Sequence, residues 1–264
     1  MLDLVNVSRT FNPGTINEKK ALIDVSLHLD AGDFVTVIGG NGAGKSTMLN
    51  AITGVWPVDK GAVYIDGINV TGLPEHKRAQ YIGRVFQDPM TGTAPDMSIQ
   101  DNMALAARRG KKRGLKWGIT AAEKRDFKER LSMLGLGLEE RMTSKVGLLS
   151  GGQRQSITLL MATIQKPKIL LLDEHTAALD PATAALVLDI TDKIVERDNL
   201  TTLMITHNMT DAIAHGNRLI MMSEGRITVD ISGEEKKKLT KEDLMLKFAE
   251  ASGRQLDNDE LLLS

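Results

Sequence analysis

The chain has 264 residues, of which 42% are hydrophobic and 25% charged, with a formal net charge of -1. That length holds one large α/β domain or two small ones, and the near-neutral balance excludes a global electrostatic footprint for nucleic acid. Cysteine is absent, which excludes a disulfide scaffold and thiolate metal sites. The N-terminal MLDLVNVSRTF has no basic stretch followed by an apolar run, and no apolar segment approaches the roughly 20 residues that span a bilayer. The expectation is a soluble chain without a secretory signal, linked to any membrane through a partner.

In chain order, the first third reads as strands joined by turns. FVTVI at Phe34–Ile38 is a β-branched run, and residues 63–65 form another, bounded by Gly61 and the turn at Asp66 and Gly67. Residues 82–86 are strand-like. The character then changes: polar loops, a basic stretch over 108–116 and a helical pattern over 120–134 predict a mostly helical insert, about residues 88–155. ILLL at 169–172 and the run at 201–205 are apolar without alternation, which suits parallel strands buried on both faces. A helix is predicted over 182–197, and a hairpin over 218–230 with Glu224 and Gly225 at its turn. Beyond Ser232 the chain is rich in charge. Thr240 followed by Asp243 resembles a helix N-cap, with Leu244 and Phe248 one turn apart. The organisation predicted is one α/β domain over 1–232 and a charged helical extension over 233–264.

Residues 39–47 read GGNGAGKST, directly after the strand Phe34–Ile38 and before a helical pattern at 48–53. This is the strand–loop–helix setting that G-x-x-x-x-G-K-[ST] requires, which a chance glycine-rich turn lacks. The glycines, Gly39, Gly42 and Gly44 among them, let the backbone form a nest whose N–H groups face phosphate oxygens, with Asn41 and Ala43 also in the binding loop. Lys45 supplies a point charge to the β- and γ-phosphates, the Ser46 hydroxyl can ligate Mg²⁺, and Thr47 completes the motif. ATP or GTP is the ligand implied. The run ILLLDE then ends a buried strand in two carboxylates, at the strand end where parallel sheets gather ligands. Successive strand residues point oppositely, so Asp173 is expected in the Mg²⁺ shell and Glu174 to polarise the attacking water. The alternative is a pair of acids opening a solvent loop.

LSGGQ at 149–153 reads as a helix start, Ser150 capping and Gln153 completing a capping box. Gly151 and Gly152 in the first turn cost about 1 kcal/mol each against alanine. That cost makes sense where something must approach the backbone closely. The bare N-terminus is a second anion site, which suggests service to a neighbouring subunit's γ-phosphate. The bland alternative is a capping turn without function.

LSGGQRQ, preceded by the phosphate loop and followed by ILLLDE, resembles the ATP-binding cassette (ABC) family, with motifs in order across residues 4–230. The resemblance implies a phosphate-loop NTPase of α/β class: a RecA-like, mostly parallel sheet core, an antiparallel β subdomain and a helical subdomain. It implies that Gln87 is the glutamine that senses Mg²⁺ and links to a membrane subunit. Ala178, Leu179 and Asp180 resemble the loop that communicates across a dimer. His207 resembles the switch histidine at the γ-phosphate, and Phe11 the aromatic that stacks on adenine. By the same resemblance the cofactors are ATP and Mg²⁺. Two copies, or a paired cassette, would sandwich two nucleotides head to tail, each site joining 39–47, Gln87, Asp173, Glu174 and His207 of one subunit with Ser150, Gly151, Gly152 and Gln153 of the other. Separate transmembrane permease subunits, an extracytoplasmic substrate-binding protein and a place on the cytoplasmic membrane face would complete the system, with no nucleic acid.

DEHTAALDP together with LSGGQRQSITLLMA is similar to bacterial cassettes of uptake systems, some associated with aromatic amino acids. An exporter or a mechanical membrane complex would share every motif. A soluble ABC ATPase of DNA repair or translation resembles a cassette with a coiled-coil insertion or two cassettes in one chain, and this sequence has neither. Two departures stand out. His175 follows Glu174 where many relatives carry proline, either to titrate near neutrality beside it or as a tolerated loop residue. An alanine precedes the dimer-facing loop where serine is common, which removes one hydrogen bond. Arg108, Arg109, Lys111, Lys112 and Arg113 read as a headgroup-binding patch or as a solvated loop.

Overall fold

The computed structural model of the chain describes residues 1–111 and 118–252. Its strands and α-helices, in chain order, are β1 (Leu2–Phe11), β2 (Lys19–Leu29), β3 (Phe34–Ile38), α1 (Lys45–Thr53), β4 (Lys60–Ile65), β5 (Ile68–Asn69), α2 (Glu75–Arg78) and β6 (Ile82–Val85). There follow α3 (Ile99–Ala107), α4 (Ala121–Ser132), α5 (Gly151–Thr163), β7 (Ile169–Asp173) and α6 (Pro181–Asp198). The chain then forms β8 (Thr202–Ile205), α7 (Met209–Ala214), β9 (Arg218–Ser223), β10 (Arg226–Ser232), α8 (Gly233–Lys237) and α9 (Lys241–Ser252). Two compact units divide these elements. One comprises Met1–Arg78 and the chain from Thr201 onward; the other is Ala79–Leu200.

In the first unit, β3 runs parallel to both β8 and β9, with Val37 opposite Ile205 and Ile220. All five residues of β3 and all four of β8 are buried, which is why neither run alternates. β9 and β10 form the expected hairpin, and Glu224 (φ 48) and Gly225 (φ 77) both take the left-handed conformation that its two-residue turn needs. An antiparallel sheet of order β2-β1-β4-β5 makes up the β portion. Register shifts in β1 break its alternation, and Asn6 and Asp24, both at positive φ, hydrogen-bond side chain to side chain at 2.8 Å.

The C-terminal extension, as far as Ser252, packs into this unit. Thr240 and Asp243 cap α9 reciprocally, each side chain accepting from the other's backbone N–H at 3.1 Å. Leu244 is fully buried with Ile38, Ala212, Leu219 and Met221. Such burial contributes about 1.5–3 kcal/mol, which anchors the helix.

In the second unit β6 and β7 pair in parallel, Arg84 opposite Leu171. α4 starts at a complete capping box of Thr120 and Glu123 and buries Phe127 and Leu131. α6 starts at Asp180, with Pro181 in its first turn, and ends at Asn199 in the left-handed conformation. The helical insert expected over 88–155 falls inside this unit. Two members of the basic run, Arg108 and Arg109, bond within this unit. Arg108 pairs with Glu123 at 2.9 Å, and Arg109 donates to the Ala162 carbonyl at 3.3 Å, burial lowering the pKa of its guanidinium. Residues 112–116 of that run lie outside the described residues.

Candidate active site

The first unit builds the phosphate loop on the end of β3. Gly44 holds φ 107 as the N-cap residue of α1, and a Cβ there would stand 2.6 Å from the Ala21 carbonyl oxygen, so only glycine fits. The hairpin turn ties the loop down: the Gly225 N–H donates to the Ala43 carbonyl at 3.0 Å, and the Gly225 carbonyl accepts from Ile23 N–H at 2.8 Å. Lys45 is 5% exposed, and its ammonium donates to the Gly39 carbonyl and to the Gly40 carbonyl at 3.2 Å, bent back over the loop it follows. Ser46 and Asn41 are exposed, whereas Ala43 and Thr47 are buried.

Phe11 ends β1 half-buried, its ring edge-on to Trp56 at 4.9 Å between centroids, with the Arg9 guanidinium 5.1 Å from its centre. Its cross-strand partner is Lys19, whose ammonium lies over Gly42, 3.1 Å from where a Cβ would be. Phe11 is thereby linked to the phosphate loop through one residue. His207 is exposed just beyond β8. The Thr206 N–H donates to the Val37 carbonyl at 3.1 Å, so His207 emerges at the same sheet end as the loop. Asn208 caps α7 behind it, accepting from Thr210 and Asp211 N–H groups.

The second unit carries the remaining predicted residues. Asp173 is the last residue of β7, and the Arg84 Nη2 donates to its Oδ2 at 2.9 Å, with the two side chains 14% and 16% exposed. Strand alternation is not what separates the two carboxylates. β7 ends at Asp173, and Glu174 leaves it with φ 48, opening a turn in which its carbonyl accepts from Ala177 N–H at 3.0 Å. His175 is 2% exposed with Nε2 3.1 Å from Thr191 Oγ1, so it is a core residue packed on α6 and not a tolerated loop residue. Gln87 is exposed two residues past β6. Gln155, fully buried, donates to the Phe86 carbonyl at 3.1 Å and pins the backbone just before it.

Ser150 and Gln153 form the capping box at the start of α5, with Ser150 and Gly151 exposed. The two glycines differ. A Cβ on Gly152 would meet Thr183 Cγ2 at 2.1 Å, so part of the demand for glycine is internal; on Gly151 it would meet Leu179 Cδ2 at 3.2 Å. Asp180 caps α6, accepting from Thr183 N–H at 3.1 Å, and hydrogen bonding to Thr183 holds its carboxyl below the usual range. Thr183 thus touches the start of the LSGGQ helix and the Asp180 cap at once. Arg84 and Lys19 belong to no motif of the sequence, and the LSGGQRQ resemblance assigns Gln155 no role. The available signal was polarity in the wrong place: an arginine inside the apolar IGRV strand, and a glutamine on the inward face of α5.

The family model described as ABC transporter matches residues 22–177. The chain is 43% identical over 249 residues to the tyrosine transport ATP-binding protein of Clostridioides difficile (strain R20291), covering 94% of this chain and 98% of that protein. This chain belongs to the ABC transporter family. The cassette is 33% identical over 266 residues to the phosphonates import ATP-binding protein PhnC of Shouchella clausii (strain KSM-K16), covering 99% of this chain and 95% of that one. Among solved structures it resembles the dimeric post-hydrolysis state of the ATP-binding cassette MJ0796 bound to ADP and Pi, at a TM-score of 0.74 and 32% identity over 88% of this chain and 98% of the other. The ADP conformation of the cassette MJ1267 gives a TM-score of 0.77 at 27% identity, covering 95% and 97%. The fold is therefore the ABC ATPase fold of phosphate-loop NTPases, and the cassette binds and hydrolyses ATP.

Proposed function

We propose that this cassette energises a bacterial importer of small solutes, amino acids being the favoured class. The observation that carries the reading is the match along 98% of a protein named for tyrosine transport. Residues 1–232 serve as the nucleotide-binding domain, with 88–155 as its helical subdomain and 233–264 as an extension. No helix among the described residues is long and apolar enough to cross a membrane. Separate permease subunits supply the path in this reading. The system works from the cytoplasmic face, with two cassettes and an extracytoplasmic substrate-binding protein.

Each residue has a task that its chemistry suits. Phe11 stacks on adenine through the face of its half-buried ring. The loop of Gly39, Asn41, Gly42, Ala43 and Gly44 binds phosphate through backbone N–H groups, and Lys45 turns from the Gly39 carbonyl to the β- and γ-phosphates. Ser46, Gln87 and Asp173 are hard oxygen donors, and no cluster of three acidic or histidine side chains occurs among the described residues. That donor set fits Mg²⁺, which keeps water and phosphate oxygens in its shell and would neutralise phosphate charge. Glu174 accepts a proton from the attacking water, and His207 contacts the γ-phosphate. The exposed N-terminus of α5, with Ser150, Gly151, Gly152 and Gln153, meets the γ-phosphate held by a partner cassette, and Asp180 lies at that contact.

The test is purification of tagged protein from its native membranes in mild detergent, followed by mass spectrometry. Recovery of a multi-span permease, with a lipoprotein or binding protein that takes up an amino acid, is the expected result. Recovery only in the soluble fraction with ribosomal or DNA-repair proteins would overturn the transport assignment.

A further inference from the structure

Arg84 lies in the short strand β6, where Ile82, Gly83 and Val85 are all buried. Its guanidinium donates through Nη2 to Asp173 Oδ2 at 2.9 Å and stands 4.6 Å from the centre of the Phe86 ring. Both members of the ion pair are largely shielded from water, at 14% and 16% side-chain exposure. Desolvation offsets most of the attraction in such a pair, and a well-packed apolar pair of similar volume is often as stable or more so. The pair is therefore better explained by position than by stability. Its geometry is specific: the bond engages one carboxylate oxygen of Asp173 and leaves Oδ1 as acceptor.

We propose that Arg84 is a positioning residue for the Mg²⁺-binding carboxylate, holding Asp173 by Oδ2 so that Oδ1 is presented to the Mg²⁺ shell. Residues that orient a metal-binding carboxylate through a second hydrogen bond typically change metal affinity by 10- to 100-fold when removed. Phe86, under the guanidinium, limits its sideways motion and also precedes Gln87, so the orientation of Asp173 and the start of the Gln87 loop share one support. The proposal rests on the assignment of Asp173 to Mg²⁺ above.

The experiment measures AMP-PNP affinity by calorimetry, in excess Mg²⁺ and in EDTA, for the wild-type chain and for Arg84→Met, Arg84→Gln and Arg84→Lys, with urea midpoints as the measure of folding. The ratio of the two affinities isolates the Mg²⁺-dependent part. The wild-type ratio should be well above one. It should fall about tenfold or more in Arg84→Met and Arg84→Gln, with affinity in EDTA unchanged, and stay near wild type in Arg84→Lys, whose ammonium can keep the single bond. If Arg84→Met does not fold, Arg84→Gln, which fills similar space, decides. Wild-type ratios in the neutral variants, or a ratio in Arg84→Lys as low as theirs, would overturn the proposal. A wild-type ratio of one would remove the Mg²⁺ assignment itself, and the proposal with it.

Discussion

Replacing Gly152 by alanine sets two effects of known size against each other. At the second position of α5, alanine should gain about 1 kcal/mol of helix propensity over glycine. Its Cβ, however, would lie 2.1 Å from Thr183 Cγ2, where ordinary contact begins at 3.4 Å, a shortfall of 1.3 Å. Thr183 sits in the first turn of α6 with its N–H donating to Asp180 at 3.1 Å, so its backbone cannot move away freely. Overpacking of this kind costs about 1–3 kcal/mol, so Gly152→Ala should be destabilising despite its propensity gain. Thr183→Ser removes the obstructing methyl and keeps the hydroxyl. Urea unfolding of the two single variants, the double variant and wild type should give a coupling energy of about 1–3 kcal/mol, with alanine tolerated in the serine background. A Gly152→Ala protein more stable than wild type, with coupling under about 0.5 kcal/mol, would refute the internal origin of this glycine.

Further outcomes follow from other sites. Arg78 is 3% exposed and donates to the carbonyls of Leu73, Ala51, Ile52 and Thr71, two of them in the last turn of α1. Arg78→Met should cost about 3–5 kcal/mol by urea unfolding, and a loss below about 1 kcal/mol would contradict this support of the helix behind the phosphate loop. Lys45→Ala should weaken ATP binding by roughly 10- to 150-fold in calorimetry, the value of a charged hydrogen bond, and an unchanged Kd would remove its phosphate role. Hydrogen bonds to Asp3 and Asp30 raise the pKa of His28 above its ordinary 6.5. Protonated His28 therefore contributes stability that is full below pH 6.5 and is lost as pH rises through the higher folded value. His28→Gln should flatten the stability–pH curve in that window by about 0.2–1 kcal/mol, the range of exposed pairs, and a curve parallel to wild type would count against it.

The legible parts of the sequence were those in which local chemistry and fold agree. FVTVI, ILLL and the 201–205 run lack alternation because both faces are buried, and the capping residues Ser150 and Thr240 mark helix starts observed in the structure. β1 and β2 were harder to place individually, since bulges at Asn6 and Asp24 break the two-residue period on which such reading depends. Contacts between distant segments carried no local signal. His175 looks like a loop residue until Thr191 is brought beside it, and Arg84 acquires meaning only when β7 places Asp173 next to it. Strand alternation predicts the separation of Asp173 from Glu174, whereas a left-handed turn residue produces it.

The measurement that tests the account most directly pairs ATP turnover with light scattering in solution for wild type and Glu174→Gln. Wild type should hydrolyse Mg²⁺-ATP, and Glu174→Gln should bind ATP and run as a dimer in its presence while turnover falls by about 100-fold or more, the scale of general base catalysis. Turnover in Glu174→Gln near the wild-type rate, or a monomer at saturating ATP, would contradict the assignment of the base and of a site shared between two cassettes.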